Sequence, residues 1–199
     1  MRFFILFIIL FLMLLNCGNM HSYIYTKNPL EAKEPFKTIP MYVDKSFSDN
    51  DRTSIDNAIG QWNYCMNNYV RLNVVTYYFD MTPSQIHDAL KDKGILVMKI
   101  DSTTTFLPKT KESETILAYA DEVAGHKLFV IRDRMNVENV EGLILHELGH
   151  LLGAMHDNNS YLMQEHYYKD DFQCIDKRSA LAVARYQNIP ENRVNYCTH

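Results

Sequence analysis

The stretch that decides the fold is HELGHLLGAMHD, residues 146–157. On a helix, His146 and His150 are four residues apart, so their imidazoles project from the same face and can bind one metal ion. Glu147 stands next to the first histidine, where its carboxylate can accept a proton from a water molecule on the metal. The spacing therefore predicts a helix that carries two metal ligands and a general base.

A third ligand follows the predicted helix. Gly153 can adopt a positive φ without a steric penalty, so the chain can turn sharply there. That turn can return His156 to the two earlier histidines. Three neutral imidazoles with a fourth position left for water are typical of catalytic zinc sites, whereas structural zinc sites usually have four protein ligands.

The whole pattern H-E-x-x-H-x-x-G-x-x-H resembles the signature of the metzincin zinc peptidases, in which a turn containing methionine follows the third histidine. Met163, seven residues after His156, is at the position of that Met-turn. The resemblance implies one catalytic Zn²⁺ held by His146, His150 and His156. It also implies that Glu147 activates the zinc-bound water to hydrolyse peptide bonds of protein or peptide substrates.

The resemblance extends to a strand that would bind substrate. Leu117, Ala118, Tyr119 and Ala120 resemble the edge-strand region of matrixins, a branch of the metzincins, along which an extended peptide binds. Matrixins have a histidine ligand of a second zinc at the position of Tyr119, so only the catalytic ion is expected here. An aspartate directly after the third histidine, as at Asp157, is more similar to the pattern of adamalysins and some bacterial members, so the subfamily stays open. We expect Asp157 to support the metal site or to hold the turn.

Hydrophobic periodicity predicts an α+β domain over residues 38–199, with a mixed twisted sheet of about four to five strands. Strands are predicted at 39–44, 70–79, 94–101, 115–122 and 127–132. Helices are predicted at 51–67, near 86–90, at 142–152 and at 175–187. They include a crossover helix, the active-site helix with Asn136 or Asn139 as its cap, and a C-terminal helix.

The N-terminus indicates export. Arg2 precedes an apolar run of 13 residues, Phe3–Leu15, which is typical of a signal peptide and short of the about 20 residues of a membrane-spanning helix. We therefore predict a signal peptide at 1–16 and a tether or short pro-segment at 17–37. The end of the signal resembles a bacterial lipobox with Cys17 as the lipidated residue, although Asn16 departs from its usual small residue. The protein would then be an envelope lipoprotein with a membrane anchor, or, with ordinary cleavage, secreted.

The net charge and the cysteines indicate which partners and which disulfide to expect. The formal net charge is −4 and Lys and Arg are not clustered, which argues against nucleic acid as a partner. A monomer is expected. In an oxidising compartment, Cys174 and Cys197 are the favoured disulfide pair because they close a short loop. Cys65 lies in an apolar helical stretch and is predicted to be a buried thiol.

Several functions remain open at this stage. The leading hypothesis is a zinc-dependent endopeptidase. The alternative is a catalytically silent lipoprotein that keeps the fold and binds other proteins at a surface, against which the intact Glu147 argues. A purely structural metal site and another zinc hydrolase, such as an amidase, are the remaining hypotheses.

Overall fold

The computed structural model describes residues 24–27, 37–78, 82–91, 93–104, 116–135, 140–165 and 174–198. The predicted signal peptide, the lipobox and both candidate caps of the active-site helix lie outside these ranges. The described residues form an α+β domain, as predicted, with a five-stranded mixed sheet and four helices.

The elements follow the predicted order. The strands are β1 (Ile24–Tyr25), β2 (Lys37–Asp44), β3 (Val70–Tyr78), β4 (Ile95–Ile100), β5 (Ala118–Ala120), β6 (Lys127–Ile131) and β7 (Cys197–Thr198). The helices are α1 (Asp49–Cys65), α2 (Pro83–Lys91), α3 (Val140–Leu151) and α4 (Lys177–Gln187). The small strands β1 and β7 were not predicted, since two residues carry no periodic signal.

The main sheet has the strand order β3-β2-β4-β6-β5. The first four strands are parallel, and β5 runs antiparallel to β6 at one edge. β5 has three residues, fewer than the predicted 115–122, because Asp121 ends the strand. Its side chain accepts hydrogen bonds from the amides of Glu122, His126 and Lys127, which bends the chain into a turn.

The core lies between the sheet and the pair α1 and α3. Trp62 of α1 is fully buried, and its indole N–H donates to the carbonyl of Leu145 on α3 at 2.9 Å. Asp51 joins the start of α1 to the end of β6, since both of its carboxylate oxygens accept from Arg132 Nε at 3.0 Å. Burial raises the pKa of Asp51, but hydrogen bonds from Arg132 and Ser48 outweigh it and hold the pKa below the ordinary value.

The two ends of the described chain meet on one side of the domain. β1 pairs antiparallel with β7, so residues 24–27, within the segment predicted as a tether, lie against the domain. The predicted disulfide between Cys174 and Cys197 is confirmed. Cys65 is a buried free thiol, as predicted, and its burial raises its pKa. Among the described helices, none is long and apolar enough to cross a membrane.

Candidate active site

The three motif histidines converge at one end of α3. The Nε2 atom of His150 lies 3.1 Å from Nε2 of His146 and 3.1 Å from Nε2 of His156. Three nitrogens bound to one tetrahedral metal at about 2.1 Å would be separated by about 3.4 Å. The cluster therefore has the spacing and the donor atoms of a metal site. His146 and His150 are buried, whereas His156 is exposed.

Backbone carbonyls orient the two helical ligands. His146 Nδ1 lies 2.6 Å from the carbonyl oxygen of Leu162, and His150 Nδ1 lies 2.8 Å from that of Ala154. Because a carbonyl oxygen only accepts, the proton of each neutral ring is on Nδ1 and the lone pair of Nε2 is free for a metal. Burial lowers the pKa of His146 to about 4 and also lowers that of His150, so both rings are neutral at pH 7.

The turn after α3 has the predicted conformation. Gly153 has a φ of 107°, and its amide donates to the carbonyl of His150 at 2.9 Å. A Cβ atom at this position would lie 2.1 Å from the Tyr186 ring, so only glycine fits. The turn reverses the chain and directs His156 toward the other two histidines.

Met163 is buried and packs against α3 at Gly149. Its carbonyl accepts from the amide of Asp157 at 2.8 Å, and its amide donates to Ser160 Oγ at 2.9 Å. The stretch that was predicted as the Met-turn is thus a compact turn closed by its own hydrogen bonds. Leu162, one residue earlier, supplies the carbonyl that orients His146.

Asp157 is fixed within the same turn. Its carboxylate accepts from the Asn159 amide at 2.8 Å and from Arg178 at 3.4 Å. Of the two roles considered for Asp157, holding the turn agrees with these contacts. The hydrogen bond from Asn159 is the main cause that lowers the pKa of Asp157.

Glu147 faces the edge of the sheet from α3. Its Oε2 atom accepts a hydrogen bond from the amide of Ala120 at 2.7 Å, and the side chain is 6% exposed. Burial raises the pKa of Glu147 to about 7, even though the hydrogen bond from Ala120 acts in the opposite direction. The buried carboxyl group therefore keeps a proton more readily than an exposed glutamate does.

A cleft of about 450 Å³ lies between β5 and α3 and opens onto the histidines and Glu147. The four residues expected to bind substrate, Leu117, Ala118, Tyr119 and Ala120, all line it. The Tyr119 ring stacks on Phe129 of β6 with 4.7 Å between centroids. The sequence-predicted residues of the metal site and of the edge strand are thus brought together around one cavity.

Two further residues of this region were not predicted as site residues. Asp176, the N-cap of α4, also binds the Met-turn, because its Oδ2 atom accepts from the amides of Tyr161 and Leu162. An aspartate before an amphipathic helix indicates a cap, but the second contact is long-range and leaves no local signal. Glu165 lines the cleft, and its distance in sequence from β5 gives no signal either.

Comparison with known proteins finds likenesses to solved structures. No family profile matches the chain, and no curated protein matches its sequence. Among solved structures, it is similar to high choriolytic enzyme 1, a hatching enzyme zinc-protease of the medaka fish Oryzias latipes, with 20% identity and a TM-score of 0.34 over 60% of this chain and 44% of that one. It is also similar to metalloproteinase-II of Bacteroides fragilis, with 16% identity and a TM-score of 0.49 over 86% of this chain and 58% of that one.

The chain thus spans less than two thirds of either of these two structures. Such likenesses are too distant to carry an argument about function. The α+β fold and the three-histidine cluster agree with the metzincin resemblance of the sequence, and the site is interpreted from its own geometry.

Proposed function

We propose that this protein is a zinc-dependent endopeptidase that hydrolyses peptide bonds in extended protein segments. The observation that carries the proposal is the convergence of three imidazole Nε2 atoms beside Glu147, in a cleft bordered by an edge strand. A silent binding protein would need neither the buried carboxylate nor the oriented imidazoles.

The residues present fit a zinc ion. His146, His150 and His156 would hold it as neutral ligands, and nitrogen donors in this number suit a catalytic zinc site. When bound, zinc would polarise the scissile carbonyl and lower the pKa of water from about 15.7 toward 7. The carbonyls of Leu162 and Ala154 keep the helical ligands in the required tautomer.

Glu147 would move the protons of the reaction. As the base, its carboxylate takes a proton from the attacking water, and as the acid it returns that proton to the departing amine. The pKa of Glu147, raised by burial, supports its role as the acid that returns the proton. The hydrogen bond from the Ala120 amide holds the carboxylate at the cleft wall next to the substrate strand.

β5 would bind the substrate backbone. Among the residues that the structure describes, β5 pairs with β6 alone and forms the edge of the sheet, so its other side can add an extended peptide as a further strand. Pairing of this kind uses main-chain atoms, and it tolerates substrate residues on both sides of the scissile bond. This supports cleavage within a chain rather than at its end.

We further propose that the protein acts after export. The disulfide between Cys174 and Cys197 supports an oxidising compartment, and the apolar run at Phe3–Leu15 supports a signal peptide. Anchoring through a lipid on Cys17 belongs to the same proposal.

The experiment is hydrolysis of an unfolded protein by the purified protein, with zinc measured in the same sample. Glu147→Gln should keep its zinc and lose about a thousandfold in rate, and a chelator should abolish the rate of the parent protein. An active Glu147→Gln protein, or a rate indifferent to chelation, would contradict the mechanism. Bound zinc without any cleavage would favour the silent binding protein.

A further inference from the structure

Glu165 stands out in the composition of the cleft. The described lining contains the three histidines, Glu147, Glu165 and six apolar or aromatic residues. These six residues are Ile116, Leu117, Ala118, Tyr119, Ala120 and Leu143. The side chain of Glu165 is exposed to solvent, and within the described part of the chain it forms no ion pair.

Glu165 directly follows the Met-turn along the chain. It follows Met163 by two residues, and Met163 is held by hydrogen bonds through both its amide and its carbonyl. The same turn orients His146 through Leu162. Glu165 therefore lies two residues beyond the turn that positions a metal ligand, and it lines the cavity where the scissile bond would lie.

We propose that Glu165 makes the enzyme select substrates with a Lys or Arg side chain beside the scissile bond; this inference rests on the proposed peptidase function. A carboxylate at an apolar wall attracts a cationic side chain and repels an acidic one, because low-dielectric walls strengthen the field inside a cleft. The aliphatic stem of Lys or Arg would pack on residues such as Leu143, while its charged end reaches Glu165.

The other ionisable groups among the described lining residues, His156 included, are the proposed metal ligands and the proposed base. His146 and His150 are buried, neutral ligands, and Glu147 is bound to the Ala120 amide and committed to proton transfer. Among the described residues, a substrate side chain that enters the cavity thus meets Glu165 as the carboxylate that the proposed mechanism does not use. The selection depends on the positive charge and on the length of the substrate side chain, so the enzyme should accept both Lys and Arg.

The test uses internally quenched peptides that are identical except for Lys, Gln or Glu at each of the two positions on either side of the cleaved bond. For the parent enzyme, kcat/KM should favour Lys over Glu by about tenfold at one of these positions, the combined effect of attraction and repulsion at a partly solvated site. Glu165→Gln should reduce that ratio to within about twofold, and Glu165→Lys should invert it. Added salt should narrow the preference of the parent enzyme.

Asp88→Asn is the matched control. Asp88 is an exposed carboxylate on α2, outside the cleft, so its removal changes the net charge equally and should leave the Lys to Glu ratio unchanged. The peptide with Gln reports whether each variant is folded and active. A parent enzyme without charge preference, or a Glu165→Gln enzyme that keeps the parent ratio while cleaving the Gln peptide, would overturn the inference alone. A zinc-loaded parent that cleaves none of the peptides would overturn the proposed function, and the inference with it.

Discussion

Single backbone atoms determine the tautomer of the two imidazoles that α3 carries. A carbonyl oxygen at Leu162 and another at Ala154 hold the Nδ1 protons of His146 and His150. Burial lowers the pKa of both rings, which favours their neutral form. The motif predicts which residues are ligands, but it does not predict these carbonyls, because they come from the turns that follow the helix.

Gly153 is the residue on which the third ligand depends, and Gly153→Ala tests this. An alanine would be strained at a φ of 107° and would collide with Tyr186. We expect the free energy of unfolding to fall by more than about 1 kcal/mol and the affinity for zinc to fall as His156 is displaced. Chemical denaturation and zinc titration measure the two effects.

Gly60→Ala is the control for that variant. Gly60 lies inside α1 and a Cβ atom there would contact nothing within 4 Å, so alanine should stabilise the protein by about 0.5–1 kcal/mol. Equal stability of the Gly153→Ala and parent proteins, with zinc affinity intact, would show that the turn tolerates a side chain.

At the scale of elements, one carboxylate joins α4 to the metal site. Oδ1 of Asp176 caps α4 by accepting from the amides of Arg178 and Ser179. Oδ2 accepts from the Leu162 amide at 3.0 Å, and the carbonyl of that residue orients His146. A displacement of α4 would therefore move Leu162 and change the orientation of the metal ligand His146.

The Asp176→Asn variant should be less stable than the parent in a way that depends on pH. Burial raises the pKa of Asp176, but its hydrogen bonds outweigh burial and hold the pKa below the ordinary value of about 3.9. The ionised group thus stabilises the fold above that pH, and the contribution is lost as the pH falls through the lower, folded-state pKa. We expect a deficit of about 1–3 kcal/mol at pH 7 that shrinks below about pH 4.

Urea denaturation of both proteins between pH 7 and pH 3 measures this deficit. A deficit that stays constant across the range would mean that the amide disturbs packing, and that the charge of Asp176 contributes nothing.

Elements with strong hydrophobic periodicity could be predicted from the sequence. Short strands, and contacts between residues far apart in the sequence, could not. α1 and β4 were placed within a few residues because buried positions recur along them, as at Ile55, Ile59 and Trp62. β5 was predicted too long because the side chain of Asp121 ends it by binding three amides, which no pattern reveals. The contact between Glu147 and Ala120 joins residues 27 apart in sequence and was not predicted either.

At the scale of the whole molecule, β1 and the residues after it are hydrogen-bonded to the segment that contains β7. The Thr26 amide donates to the carbonyl of Tyr196 at 2.8 Å, and the Cys197 amide donates to that of Ile175 at 2.9 Å. The disulfide from Cys174 to Cys197 closes this arrangement next to Asp176.

Replacing Cys174 and Cys197 together by serine should lower the free energy of unfolding by about 3 kcal/mol. The bridge closes a loop with a sequence separation of 23, and the estimate follows from the loop-closure entropy of the unfolded chain. Thermal denaturation with and without a reductant measures the effect. The parent protein should lose stability in the reductant, and the double variant should not respond. A double variant as stable as the oxidised parent would show that the bridge is dispensable.

The central claim is that three histidines hold one zinc ion that works together with Glu147. Zinc titration of the metal-depleted protein, with the rate of peptide hydrolysis followed at each addition, tests it most directly. The rate should rise in proportion to bound zinc up to one ion per chain, while Glu147→Gln binds the same amount and stays inactive. Hydrolysis without zinc, or zinc bound with no gain in rate, would contradict the account.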